Sequence, residues 1–257
     1  MDILPRHVVC ILGRWTDFSA VKKTVKDWGR DFTFDEEYSQ LKPDERMPMA
    51  FEASMDRFRL TMTDEDWEAI ESHSAVAYIL SPPMTTETAE TVSAGMLTLT
   101  ATLLHEGGLA AKSESAGLAH GRDEWTNLAE SFVTAHKEED EYSAATKLYW
   151  AWVQRIIHDS TNKLYYSVGM HLLGHPDTEV DDSLEVSEAL EWMDLMGLYR
   201  FADKPDRPIF DGEGFRLQDE GPRRIIQLTP CRRYEEDEFF FNPYGYTRLV
   251  SEEDFAE

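Results

Sequence analysis

Residues 7–28 read HVVCILGRWTDFSAVKKTVKDW, and this stretch decides the fold that the sequence predicts. Its first six residues form an apolar run rich in β-branched side chains, which predicts a short strand. Beyond Gly13, apolar side chains recur at helical spacing, at Phe18, Val21, Val25 and Trp28. The stretch therefore predicts a strand followed by an amphipathic helix.

The same alternation continues to residue 80. Extended segments are expected over residues 32–41 and 50–61. Thr63-Asp-Glu-Asp66 has the form of a capping box at the start of a helix, with Asp in place of the usual Glu or Gln. Ala75-Val-Ala-Tyr-Ile-Leu80 then predicts a buried strand. The resulting β-α-β-β-α-β order resembles a ferredoxin-like layer of helices on a mixed sheet.

The remainder of the chain is expected to have a similar architecture. Strands are expected at 109–115, 147–157, 163–173 and 223–228, and helices at 86–104, 123–136 and 183–201. We therefore expect an α+β fold with two ferredoxin-like halves, 1–137 and 142–257, each a mixed sheet with helices packed on one face. No Gly/Ser/Pro-rich linker separates them, so we expect one inseparable globular unit.

Charge restricts the partners of this chain. Fifty acidic side chains against 25 basic ones give a formal net charge of −25, and both halves are acidic. A nucleic-acid partner is therefore not expected. No uncharged apolar run is long enough for a membrane span, and the N-terminus lacks the pattern of a secretory signal. Cys10 and Cys231 lie far apart and are expected to be reduced thiols, so we expect a cytoplasmic protein.

A resemblance enters in the second half of the chain. Tyr166-Ser-Val-Gly-Met-His-Leu-Leu-Gly-His-Pro-Asp177 resembles the most recognisable block of the bacterial domain of unknown function 4261 family. The strand at 75–80, Gly107-Gly108, Lys112-Ser-Glu-Ser-Ala-Gly117 and Phe241-Asn-Pro-Tyr-Gly245 are similar to that family in order and spacing. The resemblance implies a bacterial cytoplasmic protein with a possible toxin-immunity context. It assigns no catalytic residues.

One group of residues could form a small-ligand or catalytic site: Glu114, His120, His171, His175 and Asp177. A carboxylate and a histidine near flexible glycines can do general acid/base work. His171 and His175 are spaced like zinc ligands on a helix, but the surrounding glycines and proline favour a strand and a turn, so no metal site is predicted. No catalytic residue and no cofactor is predicted, and an enzyme is the less favoured alternative.

A second group combines acids with aromatic side chains. Its members are Glu138, Glu139, Asp140 and Glu141 with Trp150 and Trp152, and Glu235, Glu236, Asp237 and Glu238 with Phe239. Large aromatics beside an acidic rim are typical of protein interfaces, although such aromatics more often pack inward. The sequence favours an immunity-type protein that neutralises a basic toxin or effector by occlusion. The alternative is an enzyme or small-ligand protein with its site near Glu114, His120 and His171.

Overall fold

Two β-sheets organise the protein, and the predicted α+β class is confirmed. The computed structural model describes residues 3–29, 31–59 and 61–255. Its strands are β1 (Val8–Gly13), β2 (Thr33–Gln40), β3 (Ala75–Leu80), β4 (Gly108–Ser113), β5 (Leu118–Gly121), β6 (Gln154–Asp159), β7 (Leu164–Val168), β8 (Asp177–Asp181), β9 (Gly214–Arg216), β10 (Arg223–Thr229) and β11 (Tyr246–Val250). Its helices are α1 (Ser19–Trp28), α2 (Met47–Ala53), α3 (Asp64–Glu71), α4 (Thr86–His105), α5 (Arg122–Lys137), α6 (Glu141–Trp152), α7 (Val186–Phe201) and α8 (Glu252–Phe255), with a short 3-10 helix at Met170–Leu173.

The first sheet has the order β2-β3-β1-β4-β5, and all neighbouring strands are antiparallel. Because β3 lies between β1 and β2, the first four strands form the split β-α-β arrangement that defines a ferredoxin-like layer. Helices cover both faces of this sheet, whereas one covered face was expected. The reason is that β1 has apolar side chains on both faces. Val9 and Ile11 on one face pack with α1 and α4, and Cys10 and Leu12 on the other face pack with α2 and α3.

The second sheet has the order β6-β7-β8-β11-β10-β9 and is mixed, with β8 and β11 parallel. This order differs from the ferredoxin-like order of the first sheet. Helix α7 covers one face through Trp192, Met193 and Met196. The opposite face is covered by the loop between β10 and β11, which we call the 230–245 loop, and this loop carries one of the predicted acidic segments.

Helices of both halves share one hydrophobic cluster with the first sheet. Leu148 and Trp152 of α6 and Leu172 of the 3-10 helix pack in the same cluster as β1 and α4. A buried ion pair also crosses between the sheets, since Arg155 of β6 contacts Asp56, which follows α2, at 2.6 Å. Arg155 also contacts Asp194 of α7 at 3.0 Å.

Three of the predicted extended segments are wrong in part. Residues 147–152 form the end of α6, because Leu148, Ala151 and Trp152 share one buried helical face. The segment at 50–61 begins inside α2. The strand expected over 163–173 ends at Val168, because Gly169 has a φ of 123° and leads into the 3-10 helix. His171 therefore lies on that helix and not on a strand.

Candidate functional site

An apolar groove of about 600 Å³ lies beside β2, the edge strand of the first sheet. Val8 and Leu80 contribute from the sheet, and Met47 contributes from α2. Tyr38 of β2 lines one side, and Phe239 of the 230–245 loop lines the groove from the second half of the protein. The groove is therefore built from parts of the chain that are 200 residues apart.

Acidic and exposed aromatic side chains flank the groove on β2 and on the 230–245 loop, and one of these acids, Glu36, is paired with Lys22 of α1 at 2.7 Å. Residues 35–37 of β2 and residues 235–238 of the loop are all acidic, and all but Asp35 are exposed. Tyr38 is 67% exposed and Phe239 55% exposed, whereas a monomer usually buries most of such large side chains. Met49 of α2 is 76% exposed on the helix that lines the groove.

Cations inside the groove are largely neutralised by neighbouring carboxylates. Lys112 of β4 is buried and contacts Glu114 at 2.7 Å. Arg46 contacts Asp44 at 2.6 Å. Arg6 also lines the groove and has no ion pair among the residues that the structure describes. The negative charge near the groove therefore lies mainly on the exposed acids of the 230–245 loop, at residues 235–238, and not on the lining itself.

A buried hydrogen-bond cluster holds the 230–245 loop on the protein. Asn242 donates from Nδ2 to Asp177 Oδ2 at 2.7 Å and to the carbonyl of His175 at 3.1 Å. Asp177 Oδ1 accepts from the Met170 N–H and from Ser167 Oγ, each at 3.1 Å. Burial raises the pKa of Asp177 to about 7, although these donors and Asn242 favour the ionised form.

The recognisable blocks at 166–177 and 241–245 thus meet in this cluster, and their glycines have structural reasons. A Cβ on Gly169 would lie 1.9 Å from the carbonyl oxygen of Trp152. A Cβ on Gly245 would lie 2.2 Å from the carbonyl oxygen of Thr229, at a φ of 75°. The two blocks fix the loop that carries Glu235 to Phe239.

His171 lies at a smaller cavity of about 180 Å³ next to the groove. Arg6 and Phe239 line both cavities. The His171 ring is buried, and neither nitrogen makes a hydrogen bond of normal geometry with the described residues. Burial lowers the pKa of His171 to about 4, against the opposite effect of the nearby Ser115 and Phe239 backbone, so the ring is neutral at pH 7.

The five residues of the predicted small-ligand site do not come together. Glu114 lines the groove, and His171 lies at the cavity beside it. His120 is buried in the core with its ring edge-on to Trp125, at a centroid distance of 4.9 Å. Asp177 is enclosed in the Asn242 cluster, and His175 lines a different cavity. In the described ranges, no group of three or more His, Cys, Asp or Glu residues is arranged to hold a metal ion.

The two acidic-aromatic segments differ in how far their aromatic side chains are exposed. Residues 138–141 are exposed, but Trp152 is fully buried and cannot contact a partner. Trp150 is half-buried between two cations, with Arg59 4.9 Å and Arg155 4.4 Å from its ring centroid. The expectation of an aromatic anchor is therefore wrong for Trp152, which α6 turns into the core, while Trp150 keeps part of its surface exposed.

At the second segment, the three consecutive Phe residues differ in exposure. Phe239 is exposed, while Phe240 and Phe241 are half-buried, and Phe240 packs edge-on against Tyr234. Residues 35–38 were missed from the sequence as part of a candidate surface. An exposed Tyr within an acidic strand was the signal that could have indicated it.

Comparison of the chain with protein-family models, curated proteins and solved structures finds no match. In the part of the chain that the structure describes, no helix is long and apolar enough to cross a membrane. The site must therefore be interpreted from its own geometry.

Proposed function

We propose that the protein is an acidic binding protein that docks a basic protein partner on the groove. The observation that carries this proposal is Phe239, an exposed aromatic beside four consecutive exposed carboxylates at the end of an apolar groove. A large apolar anchor within a charged rim is the arrangement of binding hot spots. The net charge of −25 favours a basic partner and speeds its association.

The role that fits these features is that of an immunity-type protein. It would neutralise a basic toxin or effector by covering that partner's working surface, with the acids giving rapid capture and the aromatics giving slow release. The resemblance to the 4261 family and the two free cysteines support a bacterial cytoplasmic location. The acidic surface argues against a nucleic-acid partner.

A small-ligand role for the same region is the second candidate. It is favoured by the unpartnered nitrogens of His171 at a cavity beside the groove that Glu114 lines. An enzyme would use a neutral imidazole and a carboxylate for proton transfer. His120, His175 and Asp177 lie away from the His171 cavity. Their distance from it weakens the hypothesis that this region is a catalytic site.

The test is co-expression with any basic, toxin-like protein encoded next to this gene, with cell survival and stoichiometric co-purification measured together. Phe239→Ala is expected to weaken the complex by about 30-fold, because a buried aromatic anchor is worth about 2 kcal/mol or more. Phe210→Ala is the matched control, since Phe210 is also 55% exposed but lies outside the groove. Equal effects of the two variants, or rescue without a complex, would contradict the proposal.

A further inference from the structure

A third cavity, of about 330 Å³, is lined by several basic side chains in this strongly acidic protein. It lies where the first turn of α4 meets the C-terminal end of α7 and the segment after it. Arg200, Lys204 and Arg207 line it, and Glu90 is the one acidic side chain that does. The cavity shares no lining residue with the groove.

The three cations differ in how they are paired. Lys204 contacts Glu90 at 2.9 Å, and Arg207 pairs with Glu213. Arg200 has no ion pair within the described ranges, and its Nε and Nη2 atoms are buried with no hydrogen-bond partner there. Arg200 as a whole is half-buried, but buried N–H donors such as these two normally have a carboxylate, a phosphate or water as partner. Arg200 therefore offers donors that the chain itself does not use.

The surroundings of Arg200 also favour an anion. Thr86, the first residue of the 20-residue helix α4, lines the cavity, so the positive end of that helix dipole faces it. His175 also lines the cavity, and burial together with Arg200 lowers its pKa to about 4, so it is neutral at pH 7. Phe201 and Ile209 contribute apolar side chains to the lining of the cavity.

We propose that this cavity binds a small phosphate monoester. Its oxygens accept hydrogen bonds from Arg200, with Lys204 and Arg207 adding charge at the rim, and its apolar substituent packs against Phe201 and Ile209. A phosphate carries about two negative charges at neutral pH, which suits a cavity lined by Arg200, unpaired among the described residues, and by two further cations better than a carboxylate does. This site goes beyond the proposed protein-binding function and does not depend on it.

Calorimetric titration of the purified chain in phosphate-free, low-salt buffer tests the proposal. The probes are phenyl phosphate, inorganic phosphate and benzoate, which has the same ring with a carboxylate. We expect one phenyl phosphate per chain and weaker binding of the other two. Arg200→Gln is expected to weaken phenyl phosphate binding at least about tenfold, since it removes a charge-assisted bidentate contact. Arg57→Gln, an exposed arginine outside the cavity, makes the same charge change and should bind within about twofold of the wild type.

Three results would overturn the proposal: no saturable binding of phenyl phosphate below about 10 mM, unchanged binding by Arg200→Gln, or tighter binding of benzoate than of phenyl phosphate. If Arg200→Gln does not fold, Lys204→Gln decides the matter, because Lys204 is about half exposed and its loss should not unfold the chain. Unchanged phenyl phosphate affinity in that variant would equally overturn the site.

Discussion

The Asn242→Ala substitution tests how the 230–245 loop is held. Asn242 is 1% exposed and makes three hydrogen bonds: two donated to Asp177 and to the His175 carbonyl, and one accepted from the Tyr244 N–H at 2.9 Å. At about 1 kcal/mol for each bond, the variant should lose about 3 kcal/mol of unfolding free energy. For a chain of this size, that lowers Tm by about 6–12 °C.

Asn162→Ala is the matched control. Asn162 also donates from Nδ2 to a carboxylate, that of Asp159, at 2.8 Å, but the pair lies at an exposed turn. We expect a loss of about 0.5 kcal/mol or less, because water replaces that bond. Thermal unfolding and amide exchange in residues 230–245 are the measurements. Equal Tm shifts for the two variants, or unchanged amide exchange in the 230–245 loop of Asn242→Ala, would refute the conclusion that Asn242 holds this loop.

Three further predictions concern the buried ionisable side chains. Asp56→Ala should cost about 3–5 kcal/mol in urea unfolding, because it leaves Arg155 buried with one carboxylate fewer; a loss below 1 kcal/mol would show that the pair is not buried in solution. Unfolding should also become easier as pH falls from 7 to 5. Burial lowers the pKa of three fully buried imidazoles, His7, His120 and His171, so the unfolded chain takes up protons between pH 7 and 5 that the folded chain does not. The raised pKa of Asp177 acts in the opposite direction, because the folded chain binds that proton first. On average over this range the unfolded chain binds about one more proton, so stability should fall by about 3 kcal/mol in total between pH 7 and 5. Stability independent of pH in that range would count against this burial. His120→Phe should reduce the pH slope by about 1 kcal/mol per unit, because it removes one group whose pKa is lowered by burial.

Local features of the fold were predictable from the sequence. The capping box at Thr63 is present, with Thr63 Oγ1 accepting from the Asp66 N–H at 3.2 Å and Asp66 accepting from the Thr63 N–H at 2.9 Å. The apolar runs of β1 and β3 became adjacent central strands. Such features depend on residues a few positions apart in the sequence. They were therefore sufficient to predict the central strands β1 and β3 of the first sheet.

The rest depends on contacts between distant residues. Aromatic composition suggested a strand at Trp150 and Trp152, but packing against α4 and α5 makes that segment helical. Asn242 and Asp177 are 65 residues apart, and no spacing indicates that they pair. The groove needs Tyr38 and Phe239 together, and only the folding of the 230–245 loop onto the second sheet brings them there.

The measurement that tests the binding proposal most directly is the association rate with a basic partner for two variants of equal charge change. One neutralises residues 235–238 as Glu235→Gln, Glu236→Gln, Asp237→Asn and Glu238→Gln. The other neutralises residues 138–141 in the same way, and its Asp140→Asn change keeps a residue that can cap α6.

Rates are measured by stopped flow at low and at physiological salt. We predict that neutralising 235–238 slows association at low salt by about tenfold and flattens the salt dependence, while neutralising 138–141 has a much smaller effect. Equal slowing by both variants would mean that net charge alone steers the partner, and unchanged rates in both would contradict an acidic docking surface at the groove.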